Sequence, residues 1–208
     1  MMESIQFLIS GVIFGLVAGI SPGPLLTLVI SETLRHNKRA GIAIAVAPVL
    51  TDIPIVISSI FILTKVAGFQ LILGTISIAG ALFIGYLAYE SIRTKGIKAD
   101  ASDSGARSLR RGVIANFLNP HPYLFWIAVG APTVLKAYSI NLLSAFLFVS
   151  GFYLFLVGSK VLVALLADRS KIFLKSSAYI YTVKSLGVIL LLIAVLFIKD
   201  GLKYFGVF

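Results

Sequence analysis

Six apolar runs, each about 20 residues or longer and so able to cross a hydrocarbon layer about 30 Å thick as a helix, leave this chain little room for anything else. They extend approximately from Ile5 to Ile30, Gly41 to Val66, Leu71 to Ile92, Val113 to Leu135, Leu142 to Ala167 and Tyr179 to Ile198. Between them lie short connections and one polar stretch, Arg93 to Arg111, whose Gly96, Asp100, Ser102, Asp103, Ser104 and Gly105 read as a flexible aqueous loop. Only 12% of the 208 residues are charged, against roughly a quarter in a soluble domain. The expectation is an all-α integral membrane protein in one unit spanning 1–208, with no separate soluble domain.

The chain carries a net charge of +10. Its cations sit in short blocks between the apolar runs, a pattern that fits a lipid bilayer and not nucleic acid. Arg35, Lys38 and Arg39 follow the first run, six Lys or Arg lie between Arg93 and Arg111, and Arg169, Lys171, Lys175 and Lys184 follow the fifth. The opposite side holds Lys65, Lys136, Lys199 and Lys203. The positive-inside rule then places both termini on the non-cytoplasmic side. The first run opens with Glu3, lacks Lys and Arg and is too long for a signal-peptide core, so it reads as a retained span. With no Cys and two His, the sequence calls for no cofactor and no bound metal.

Two of the runs are interrupted in matching ways. Ser21-Pro22-Gly23-Pro24 lies in the first and Asn119-Pro120-His121-Pro122 in the fourth, each a polar residue followed by Pro-x-Pro. Proline removes a backbone donor and clashes with the preceding turn, so each motif is expected to break its helix. Each also falls in the first span of a three-span half, and an odd number of spans per half gives the halves opposite orientation. The pattern predicts two inverted three-helix repeats, about 1–95 and 112–208, joined by a cytoplasmic loop at about 96–111, with helices one and four broken. Backbone freed inside a membrane must face protein or a water-filled cavity, so the breaks point to a binding site at the midplane. Ser21 and Asn119 either cap the new helix ends or touch a ligand.

Asp52 falls roughly 18 Å into the second run and Lys160 roughly 12 Å into the fifth, at 1.5 Å per residue from the cytoplasmic ends. A charge at the centre of a span costs about 2.5–3.5 kcal/mol and marks a candidate functional residue. Asp52 can bind a substrate cation, carry a coupling proton, or neutralise Lys160 in a structural pair, and these readings stay open. Pro48 and Pro54 flank Asp52 and predict a second irregular stretch there. Gly11, Gly15, Gly19 and Gly23 share one helix face and read as close packing, within the subunit or between two subunits of a homodimer. Tyr123, Phe125 and Trp126 are candidates to stack on a substrate, and Glu32, Glu90 and Asp168 read as solvated charges at span ends.

The six spans, Gly19-Ile20-Ser21-Pro22-Gly23-Pro24 at the first break, the basic loop after span three, and Asn119-Pro120-His121-Pro122 followed by Phe125-Trp126 together resemble the LysE/RhtB amino-acid exporter family. The resemblance covers the whole chain. It implies a secondary transporter, not an enzyme, that exports amino acids or close derivatives across a prokaryotic cytoplasmic membrane, driven by the membrane potential or proton gradient. Ser21, Pro22, Gly23, Pro24, Asp52, Asn119, Pro120, His121 and Pro122 are the positions it implicates. Independently of family, a zwitterion needs an anion-binding and a cation-binding element, which broken-helix amides with Lys160, and Asp52, supply. An inorganic cation transporter, with Asp52 and freed carbonyls as direct ligands, is the alternative. An intramembrane enzyme is disfavoured by the lack of nucleophile, base or metal-ligand arrays in the spans.

Overall fold

Helices form wherever the apolar runs predict them. The computed structural model describes residues 2–21, 23–66, 70–93, 108–169 and 177–207. The first run is divided into α1 (Met2–Ile20) and α2 (Pro24–Arg35), and the second and third form α3 (Lys38–Val66) and α4 (Gln70–Ile92). The fourth is divided into α5 (Ser108–Leu118), α6 (Pro120–Phe125), a π-helical turn (Trp126–Gly130) and α7 (Ala131–Tyr138). α8 (Leu142–Arg169) and α9 (Ser177–Tyr204) complete the chain, and no strand occurs among the described residues. Among the described residues, three stretches qualify directly as membrane spans by length and composition: Glu3–Ile20, Lys38–Lys65 and Leu142–Arg169.

Large apolar side chains cover the outside. Ile57, Phe61, Leu71, Leu82, Phe146 and Leu154 are between 62% and 72% exposed. In water such a surface would drive association, whereas in hydrocarbon it is already solvated.

Three expectations about the helices and their ends need correction. α3 runs unbroken through Pro48 and Pro54, so the predicted irregular stretch beside Asp52 is absent; the two prolines are not paired within one turn as in Pro-x-Pro, so each removes only one helical hydrogen bond at its own turn. The loop expected at about 96–111 is shorter at its end, because Ser108 to Arg111 form the first turn of α5, where polar side chains are compatible with open backbone amides. Residues 94–107 lie outside the described residues. Finally, Gly23 does not share the packing face of the other three glycines. It follows the break as the N-cap of α2, and a Cβ there would meet nothing within 4 Å.

The main packing pairs join helices far apart in the sequence. α1 lies along α8, α5 and α2 lie along α3, and α4 pairs with α9. A Cβ at Gly11 or Gly15 would strike the backbone carbonyl oxygen of Phe148 or Phe152, and one at Gly19 would strike Ser159 Oγ. These glycines therefore let α1 and α8 approach backbone to backbone. The buried Ser4 and Ser144 hydroxyls share a 2.9 Å hydrogen bond across the same pair. The glycine face on which a homodimer was considered is thus occupied within the subunit. Gly80 of α4 similarly admits the Ala128 carbonyl from the π-helical turn.

Glu32, expected to be a solvated charge, is 1% exposed. Its Oε1 lies 2.6 Å from Arg111 Nη1, and its Oε2 accepts a 3.0 Å hydrogen bond from Ser108 Oγ. The cause is tertiary: the start of α5 lies over the end of α2 and closes the aqueous side of Glu32. Removing one partner of such a pair leaves an uncompensated buried charge, at a cost of about 3 kcal/mol or more. Arg111→Met is expected to lower the thermal unfolding midpoint in detergent sharply, and Glu32→Gln in the same chain to restore most of the loss. A double variant as unstable as the single one would mean that stranding the Glu32 charge is not the cause.

Candidate functional site

Residues of both breaks line one partly open cavity, and clefts of this kind between helices are where small-molecule sites occur. Ser21, Gly23, Asp52, Asn119, His121, Pro122 and Lys160 all line it. Pro24 and Pro120 are the first residues of α2 and α6; Pro22 lies outside the described residues. Each helix thus restarts at a proline, whose missing amide costs nothing at a first-turn position. Pro122, within the first turn of α6, causes no further break.

The two restarts are capped differently. At α6, Asn119 Oδ1 accepts a 3.1 Å hydrogen bond from the His121 amide, so Asn119 is a helix cap. At α2 the N-cap is Gly23, and no side chain caps it. Leu25 and Leu26, in that open first turn, line the cavity. An uncapped helix N-terminus presents free amides and the positive end of its dipole. Ser21, whose amide bonds to Val17 O at 2.9 Å, does not act as the cap of α2.

Asp52 is the centre of a buried polar network. It is 3% exposed, and Asn116 is 2% exposed. Asn116 Nδ2 donates to Asp52 Oδ1 at 2.9 Å and to Thr51 Oγ1 at 2.6 Å, and Thr51 Oγ1 lies 3.3 Å from the same carboxylate oxygen. On the other oxygen, Trp126 Nε1 and Tyr153 Oη each donate at 3.4 Å. The Trp126 and Tyr153 rings stack with centroids 6.1 Å apart, and Phe125 and Phe152 complete an aromatic wall. Of the three aromatics expected near the second break, Phe125 and Trp126 join the cavity. Tyr123 turns away and bonds to Phe117 O at 3.0 Å.

Lys160 also lines the cavity and is 3% exposed. Its Nζ donates to Ala18 O at 2.6 Å and to Gly19 O at 3.2 Å. Asp52 and Lys160 form no ion pair with each other, which answers the question left open by their similar depths. Instead each side chain reaches the end of one broken helix: Lys160 that of α1 and, through Asn116, Asp52 that of α5. Ala18 and Asn116 each stand three residues before the polar residue of their motif, so the two contacts occupy matching positions of opposite charge.

The family model for LysE type translocators matches residues 16–201. The chain belongs to that family. No characterised protein and no solved structure matches it. A LysE type translocator is an integral membrane protein that moves a small solute and is not an enzyme. In this translocator the matched segment includes both breaks, Asp52 and Lys160. Sequence reasoning did not single out Asn116, Thr51 or Tyr153 as site residues. An amide inside an apolar run was a usable signal for Asn116, since it requires a partner in hydrocarbon; nothing in the sequence around Tyr153 distinguishes it.

Replacing Asn116 by Leu removes two hydrogen bonds at once and leaves Asp52 with a poorer donor set. The expected cost is about 2 kcal/mol, read as a lower unfolding midpoint of the purified protein. The loss should shrink when Asp52→Asn is introduced as well, and equal losses in both backgrounds would show that Asn116 does not act through the carboxylate.

Proposed function

We propose that this translocator exports amino acids or close derivatives across the cytoplasmic membrane of a prokaryotic cell by alternating access. On this reading the chain crosses the membrane six times as two inverted three-helix repeats, with both termini on the non-cytoplasmic side. The pairing of α1 with α8 and of α5 with α3 supports the repeat, since each is a half-broken first helix against the second span of the other half.

The observation that carries the reading is one cavity lined by two buried, oppositely charged side chains that form no ion pair with each other. A zwitterion supplies the missing charges in one molecule. Its carboxylate is met by the third N–H of Lys160, which has two donors on carbonyls, and by the open amides of α2. Its ammonium is met by Asp52 and by the aromatic wall of Phe125, Trp126 and Phe152, whose ring faces attract cations. Asp52 is also the candidate for a coupling proton, with the proton gradient or membrane potential as driving force. The alternative, an inorganic cation bound directly by Asp52, fits less well. Both carboxylate oxygens already accept hydrogen bonds, which a directly bound metal would have to displace or share, and Lys160 occupies the freed carbonyls.

Counterflow of labelled amino acids in proteoliposomes, at two internal pH values, tests this. The native chain is expected to exchange one side-chain class, and Asp52→Asn to lose at least about tenfold in rate while inserting normally. No exchange of any amino acid by folded protein would overturn the export reading and leave cation flux to be measured. Unchanged exchange in Asp52→Asn would remove Asp52 from the mechanism.

A further inference from the structure

A helix that stops inside a membrane leaves main-chain carbonyls at the negative end of its dipole, and secondary transporters use such ends to coordinate cations. α1 stops at Ile20 and has no basic residue in its last turn. The Ser21 amide occupies the Val17 carbonyl, and the next two, Ala18 and Gly19, receive Lys160 Nζ from α8 at 2.6 and 3.2 Å. Among the described residues no carboxylate forms an ion pair with this ammonium. Lys160 is therefore a buried cation with carbonyl oxygens as its hydrogen-bond partners, the donor type that replaces water around alkali ions in selective pores.

Its position is set by packing. Gly11, Gly15 and Gly19 hold α1 against α8, and at Gly19 the contact is with Ser159, the residue preceding Lys160. The lysine backbone is thus pressed against the end of α1, and the side chain cannot leave the carbonyls without turning into the cavity or parting the helices. The cavity it lines admits water to complete the shell of a metal ion.

We propose that the Ala18 and Gly19 carbonyls form a site for a monovalent alkali cation that the chain fills with its own Lys160 ammonium. The native protein accordingly needs no inorganic cation at this position, and truncating Lys160 opens the site to sodium. The consequence for transport rests on the export reading: sodium held there also presents a positive charge to a substrate carboxylate, so exchange becomes sodium-dependent.

The full chain purified in detergent is unfolded thermally in sodium chloride and in N-methylglucamine chloride at equal ionic strength. Native protein and Lys160→Arg are expected to unfold at the same temperature in both salts. Lys160→Ala and Lys160→Ser are expected to be less stable in N-methylglucamine and to gain several degrees in sodium, saturably, because an ion that binds only the folded state stabilises it by mass action. Indifference of both truncated variants to the cation overturns the proposal, as does sodium-specific stabilisation of the native chain. Failure of both truncated variants to fold even in sodium, while Lys160→Arg folds, also overturns it, because sodium then cannot replace the ammonium. In proteoliposomes, sodium-dependent counterflow by Lys160→Ala beside sodium-independent counterflow by the native chain supports the transport consequence. If the native chain exchanges no amino acid, the export reading fails while the unfolding comparison still decides the cation site.

Discussion

Backbone polar groups at membrane depth must find partners in protein or in a water-filled cavity, and the hydrogen bonds from Lys160 to the end of α1 supply protein partners at the first break. Without a break, α1 and α2 would form one continuous apolar helix with nothing to offer a polar solute. With a break and no partner, exposed carbonyls would cost several kcal/mol each. A charged side chain from another helix resolves the conflict and sets a second condition, that α8 lie close enough to reach. The glycines at 11, 15 and 19 meet it. Helix break, buried lysine and glycine face are three parts of one solution.

The second break is resolved with opposite chemistry. Asn119 caps α6 with its own side chain, and Asn116 near the end of α5 turns to Asp52. The π-helical turn then brings Trp126 to the same carboxylate. Widened turns of this kind occur often at functional sites, and Pro132 in the first turn of α7 supplies a local reason, since its ring clashes with the carbonyl four residues earlier in a regular helix.

Much of this was legible in the sequence because the membrane imposes simple rules. Run length gave the helices, Pro-x-Pro gave both breaks, and depth along the spans gave Asp52 and Lys160 as buried charges. What depended on which helix faces meet was not legible. Glu32 reads as a solvated end charge until α5 is seen to cover it, and Pro48 and Pro54 read as an irregular stretch although α3 continues through both. Whether Asp52 and Lys160 pair stayed open, because depth alone carries no information about lateral position. Tyr153 is indistinguishable in sequence from the lipid-facing residues around it, and only the rotation of α8 brings its hydroxyl to Asp52.

The donors around Asp52 come from four places: Thr51 beside it on α3, Asn116 on α5, Trp126 on the π-helical turn and Tyr153 on α8. The carboxylate therefore acts as a knot between segments that no covalent link holds together. A rigid movement of α8 away from α3 must untie at least the Tyr153 strand. An occupant bringing its own N–H groups replaces what is lost, whereas an empty site does not. On the proposed export reading, resistance to movement would thereby depend on occupancy through a single side chain.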